Sequence, residues 1–336
     1  MKKIIYTLLT VLFITTGCHV LEAADTEGSG HDVGFSVGPS FALTDLGGAK
    51  KIGSPFLRDL DFEATRFFIS AFYRYNVNKF FAVRANLMYG MISADDNHTD
   101  GNPPPNVTDS WYRARRNLNF STHMVEFQAI AEINLKKYMH DEARGSKDRW
   151  APYIGGGLGF FWFNSYTKLN GKKVYLKPLG TEGQFIGYKK PYGNFQFDLI
   201  ALVGIKYNVT EKFSIALEGW YHQTFTDYLD DVSGNYIDPQ DISLLSPEAQ
   251  ILQNRSNTGH YPDNNFNFVE GQRDLTTGNL LPAGIGQQRG DHKDNDQFLH
   301  LQLTFSFTLG PSGKRLGFGS CGKRNPYHHK FNCPKW

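Results

Sequence analysis

The chain has 336 residues, 35 basic and 33 acidic, for a formal net charge of +2, with 15% aromatic residues and a mean hydropathy of −0.42. So small a net charge says little about partners, and no nucleic acid is expected among them. Abundant aromatics and glycine under a negative mean hydropathy do not suit a large close-packed soluble core, and no segment offers the roughly 18 to 20 uninterrupted apolar residues of a membrane-spanning helix.

The N-terminus places Lys2 and Lys3 ahead of an apolar run from Ile4 to Ile14, with Ala23 and Ala24 following as small residues at a cleavage point. That order describes a secretory signal over residues 1–24. Thr16-Gly17-Cys18 resembles the end of a lipoprotein signal, but Thr15 stands where such signals usually carry Leu. Cleavage after Ala23 or Ala24 leaves Cys321 and Cys333, which in an oxidising compartment read as one local disulfide. A Cys/His metal site with His328 and His329 is the sharper alternative, and it lacks the C-x-x-C spacing of structural zinc.

From Val33 onward, apolar and polar residues alternate with period two, as strands with one greasy and one wet face require. The expected strands are Val33–Phe41, Phe67–Tyr75, Phe81–Met91, Val125–Leu135, Pro152–Asn164, Phe195–Tyr207, Phe213–Phe225 and Phe298–Leu309. The fifth alternates poorly because Gly155, Gly156, Gly157 and Gly159 interrupt it, although Phe160 to Phe163 would suit an aromatic girdle. Strands of this length match the roughly 9 to 11 residues that cross a tilted bilayer, and apolar faces nearly free of charge make sense against lipid. The expected fold is therefore all-β: a transmembrane antiparallel up-and-down barrel of eight strands over residues 25–310.

Asn76-Val77-Asn78-Lys79 and Asn208-Val209-Thr210-Glu211-Lys212 read as hairpin turns, whereas the connections after strands one, three, five and seven are long. Short turns in the periplasm and long loops outside are the rule for such barrels, which puts both termini in the periplasm and the protein in the outer membrane. Residues 311–336 form a basic tail with six Lys or Arg and no acid.

Eight strands enclose a bore that side chains fill. The inward positions expected to carry a paired charge network are Arg74, Arg84 and Lys206 against Glu126, Glu132, Asp198 and Glu218, with His222 and His300 nearby. Glu218 and His222, four apart on one inward face, could orient each other as an acid/base pair in a lipid-modifying enzyme. No nucleophile is evident for them to serve, so neither catalytic residues nor a cofactor is expected. Acid clusters at Asp95-Asp96, at Asp227 with Asp230 and Asp231, and at Asp291, Asp294 and Asp296 lie in the long loops. Divalent cations bind such clusters, but none has EF-hand spacing, and solvated loops are the simpler reading.

Four stretches go beyond a generic barrel pattern: Arg116-Asn117-Leu118-Asn119-Phe120, Pro152 to Gly157, Leu179-Gly180-Thr181-Glu182-Gly183-Gln184, and Thr226-Asp227-Tyr228-Leu229-Asp230-Asp231-Val232-Ser233. Together with Gln288 to Asp291 and the ending Cys333-Pro334, they resemble the PorG-type outer-membrane proteins of the Bacteroidetes type IX secretion system. The resemblance runs from about Phe67 to the end of the chain; the segment Pro239 to Gly286 departs from the pattern.

The resemblance implies a non-enzymatic barrel associated with the secretion machinery, with a periplasmic ring lipoprotein and its partner as binding partners besides outer-membrane lipid. The basic tail is the expected dock on an acidic periplasmic surface. The alternative is a surface barrel of the OmpA or OmpX sort, binding host or envelope ligands through its long loops. A third expectation concerns Thr226 to Ser233, which could fold back over the barrel with Asp230 or Asp231 accepting backbone hydrogen bonds.

Overall fold

The structure is a computed structural model describing residues 30–46, 61–78, 80–98, 116–135, 149–210, 212–238, 240–255, 272–273, 280–281 and 289–309. The signal segment, Cys18, the connection 136–148 and the tail with Cys321 and Cys333 lie outside these residues.

The long strands are β1 (Gly30–Leu43), β2 (Arg66–Asn76), β3 (Phe81–Asp95), β4 (Asn119–Asn134), β5 (Trp150–Leu169), β7 (Phe195–Asn208), β8 (Phe213–Thr224) and β11 (Gln297–Leu309). The short strand β6 (Lys172–Tyr175) pairs back on the end of β5, and β9 (Gln272–Arg273) pairs with β10 (Leu280–Leu281) inside the last long loop. Each long strand pairs antiparallel with its neighbours in chain order. Pairing of β4 with β5 and of β1 with β11 closes the ring, so the eight make a barrel without a free edge.

All eight expected strands form. The fifth extends beyond its expected end to Leu169, because the turn at Asn170 and Gly171, both with positive φ, folds it into the β5–β6 hairpin. Its aromatic run splits by parity: Phe160 is 43% exposed on the outside, while Phe161 and Phe163 are buried in the bore. The girdle expected from four consecutive aromatics is thus contributed by alternate residues only.

Period two explains the rest of the exterior. Ile69, Tyr73, Val83, Leu87, Phe127, Leu158, Leu199, Val203, Leu217 and Leu303 all lie exposed on the outer face. Tyr75, Trp150, Tyr207 and Phe213 ring the turn end, with Trp150 and Tyr207 4.7 Å apart, and Phe67, Tyr89 and Phe195 ring the loop end. An uncharged band between two aromatic rims is the surface that lipid selects.

The turns are fixed by side-chain oxygens. Asn78 Oδ1 accepts from the backbone N–H groups of Phe80 and Phe81 at 2.8 Å, and Thr210 Oγ1 accepts from that of Phe213 at 3.0 Å.

Inside, three inward glycines of β5, at 155, 157 and 159, supply space rather than side chains. Ile130 and Leu202 close over Gly155, and the carboxylates of Glu126 and Asp198 close over Gly159. Toward the loop end, Phe68, Met88, Met124, Phe161, Phe163 and Phe298 pack into an apolar layer that continues up to Leu229 and Val232 of the loops.

Candidate functional site

The bore carries two polar clusters beneath a cap of loops. The lower cluster centres on Glu218, an inward residue of β8. It accepts from Arg84 Nη1 at 2.9 Å, from Trp220 Nε1 at 2.9 Å, and from Tyr153 Oη and Gln302 Nε2. Arg74 Nε lies 2.8 Å from Glu132 and its Nη1 4.0 Å from Asp32, and Arg84 Nη1 lies 3.5 Å from Glu132. Both guanidinium groups are fully buried and also lie over aromatic faces, Arg84 4.0 Å from the Phe72 ring and 5.1 Å from that of Trp220. Delocalised, weakly hydrated guanidinium tolerates such a site better than a compact ammonium does.

The partition differs from the sequence expectation in three ways. Glu126 and Asp198 turn away from the bases and meet His222, whose Nδ1 is 2.5 Å from Asp198 Oδ2 and 3.4 Å from Glu126 Oε1. Lys206 joins no ion pair within 4 Å among the described residues; its Nζ sits 5.4 Å from the centre of the Tyr153 ring. Glu218 and His222 do not meet, because four residues along a strand span about 13 Å, and they serve separate clusters. Asp32, Tyr153 and Gln302, all absent from the expected network, belong to it. Asp32 was legible as the lone acid in the inward series with Ser36 and Ser40.

The second cluster comprises Glu126, Asp198 and His222, all fully buried, whose ligand-type atoms lie within 4.8 Å of one another. It is the one such group that could hold a metal among the described residues. His222 stacks on Phe298 at 4.1 Å and approaches the His300 ring at 5.0 Å.

Above the apolar layer, the motif residues converge on one cap. Arg116 grips both oxygens of Asp96 at 2.8 and 2.9 Å and donates to the carbonyls of Arg289 and Asp45. Leu118 N–H donates to the same Asp96, and Asn117 Nδ2 to the carbonyl of Arg255. Glu182 accepts from Arg289 Nη1 at 3.0 Å, from Lys189 Nζ at 3.0 Å, and from the backbone N–H groups of Ser233 and Gly234. Gly180 and Gly183, both at positive φ, make the turn that aims Glu182 inward.

Thr226 to Ser233 lies across the barrel mouth. Thr122 and Ser165, inward residues of β4 and β5, both donate to the Leu229 carbonyl at 2.6 Å. Asp230 accepts from the backbone of Leu46 and Val232, and Asp231 accepts from Thr181 and Tyr192 hydroxyls. Tyr228 stacks on Tyr192 at 4.5 Å. Asp96, Asp230, Asp231 and Asp296 are therefore bonded structural groups, whereas both carboxylate oxygens of Asp227 are buried without a hydrogen-bond partner and Asp294 stays exposed.

Burial sets their protonation. It pushes the Asp227 carboxyl up to about 8, and Asp231 up to about 6 even against the pull of Arg289. Asp230 and Asp296 also rise well above the usual range through burial, reinforced by neighbouring carboxylates. Glu182 goes the other way, because Arg289 and Lys189 outweigh its burial.

Residues 7–244 match the family model described as "Domain of unknown function (DUF6089)". A search of curated proteins finds no match. Among solved structures, Neisserial surface protein A (NspA) aligns with TM-score 0.34 and 12% identity, over 84% of this chain and 100% of that one. Ail of Yersinia pestis, in complex with the heparin analogue sucrose octasulfate, aligns with TM-score 0.32 and 10% identity over 83% and 99%. The outer membrane protein OprG from Pseudomonas aeruginosa aligns with TM-score 0.33 and 10% identity over 85% and 99%.

Proposed function

The chain belongs to the DUF6089 family, and from that premise we propose that it is a non-enzymatic outer-membrane barrel serving type IX protein secretion as a structural or accessory component. The observation that carries this reading is the cap. The stretches resembling the PorG-type proteins, at Arg116 to Leu118, Gly180 to Gly183 and Asp227 to Asp231, are separate in sequence and join in one hydrogen-bonded unit. Such a unit above a bore filled by side chains suits a rigid part of a larger assembly better than a conduit.

In this reading the long loops face outside and the hairpin turns face the periplasm, where the basic tail of residues 311–336 docks the ring lipoprotein and its partner. An affinity pull-down of the tagged protein from detergent-solubilised outer membrane, read by mass spectrometry, tests it. Recovery of ring proteins is the expected outcome, and a lone barrel from membranes with an intact ring would refute it.

A second reading, a surface barrel that binds ligands through its loops, is favoured by one feature. The cap exposes Phe185, Tyr188, Leu244 and Ile251 at its outer edge, where exposed apolar side chains have no lipid to face. Loss of the protein separates the two, since only loss of a secretion component strands exported proteins in the periplasm.

A further inference from the structure

We propose that Glu126, Asp198 and His222 form a buried divalent-metal site inside the bore, taking a first-row transition ion such as zinc, manganese or iron(II). The argument begins with charge. In the lower cluster, Arg74, Arg84 and Lys206 face Asp32, Glu132 and Glu218, three cations to three carboxylates, so that layer is neutral by itself. It leaves no cation for Glu126 and Asp198, which are fully buried about a single imidazole. Two carboxylates and a neutral imidazole carry two negative charges, and one divalent ion cancels them.

Unsatisfied atoms point the same way. Both carboxylate oxygens of Glu126 and the Oδ1 of Asp198 are buried without a hydrogen-bond partner. Buried polar atoms are bonded in the great majority of native structures, so a concentration of exceptions in one cluster calls for a ligand. The donor set suits the proposed class: one imidazole nitrogen and two carboxylates, with no thiolate and too few oxygens for calcium. The spacing suits it as well. His222 Nδ1 lies 2.5 and 3.4 Å from the two carboxylates, and donors about 2.0 to 2.2 Å from a shared ion stand only slightly farther apart on average. With Nδ1 on the ion, the ring proton sits on Nε2.

The fold supplies the space. Gly159 of β5 lies between Asp198 on β7 and Gln128 on β4 in register, and a side chain there would meet the carboxylates of both Asp198 and Glu126. The two acids approach each other over a strand that contributes no atom between them. Rings of Phe298, Trp220 and His300 then wall the cluster from solvent.

The test refolds the full mature chain from urea into detergent in metal-free buffer, alone or with Zn²⁺, Mn²⁺ or Co²⁺. Bound metal is then counted on the gel-filtered barrel. About one ion per folded chain is expected, with visible Co²⁺ bands of low-symmetry coordination and a raised unfolding midpoint. Binding should weaken about tenfold or more in Asp198→Asn and in His222→Gln. If neither variant folds, the wild-type Co²⁺ spectrum and midpoint decide. A wild-type barrel that folds and excludes all three metals overturns the proposal, leaving a proton shared within the cluster. Equal binding by folded variants overturns it too.

Discussion

Arg116 holds both carboxylate oxygens of Asp96, at 2.8 and 2.9 Å, across the loop joining β3 to β4. Its remaining donors reach the carbonyls of Asp45 and Arg289, so a single guanidinium ties three loops together. Arg116→Lys keeps the charge and loses the fork. Exchanging the bidentate, charge-assisted hydrogen bonds for a single ammonium contact costs about 1.5 to 3 kcal/mol, confined to the cap. Proteinase K should cut the loops of the variant while the barrel keeps its folded mobility in unheated gels.

The cap should also respond to pH. The folded-state values of Asp227 and Asp231, raised by burial to about 8 and about 6 from 3.8, mean that the closed cap binds more protons than the open one. Their contribution is complete below about 4 and is lost as pH rises through the raised values. Glu182, held low chiefly by Arg289 and Lys189 against its burial, has the opposite sign and loses its contribution as pH falls below 4.5. Asp45, Asp230 and Asp296, which face the same loops, act with Asp227. Hydrogen exchange at the amides of Leu229 and Val232 should therefore be slowest near pH 5, after correction for intrinsic rates, and faster at pH 8.

Glu218 accepts hydrogen bonds from four side chains on four strands: Arg84 on β3, Tyr153 on β5, Trp220 beside it on β8, and Gln302 on β11. Glu218→Ala leaves Arg84 with Glu132, at 3.5 Å, as its nearest carboxylate and should destabilise the barrel by about 3 to 5 kcal/mol. Urea unfolding in lipid vesicles, followed by tryptophan fluorescence, measures the loss.

The inward glycines should not be equivalent. At Gly157 a methyl group would meet the main-chain carbonyl of Ala129, which cannot move without disturbing the β4–β5 ladder, whereas at Gly159 it would meet only the flexible ends of Asp198 and Glu126. Gly157→Ala should cost about 1 to 3 kcal/mol in the same unfolding measurement, more than Gly159→Ala.

A bore filled in this manner conducts nothing. Purified protein inserted into planar bilayers should leave the current at its background level, whereas even brief open-channel steps would contradict the packing of Phe68, Met88, Phe161, Phe163 and Phe298.

The strands were legible because lipid tolerates almost no charge, which makes alternation unusually clean on β2, β3, β4, β7 and β11. The fifth strand blurred because its inward positions are glycine and phenylalanine, apolar like the outward ones. Inward charges could be named from parity, but their partners lie across the bore. Pairing there depends on the stagger of the closed sheet, to which the alternation of one strand is blind. Parity alone therefore sets Glu126 and Asp198 against the bases, and the spacing of Glu218 and His222 suggests a pair although residues four apart meet on helices and not on strands. Asp230 and Asp231 resembled solvated loop acids because their donors, Leu46, Thr181 and Tyr192, come from other loops.

The cap joins the segments after β1, between β3 and β4, between β5 and β7, and between β8 and β11. The last of these precedes the final strand, so no subset of crossed strands can close it. Cap formation therefore reports completed insertion of the whole chain. Resistance of the loops to protease should appear after the barrel's shift in gel mobility, giving assembly factors a surface that exists only on finished molecules.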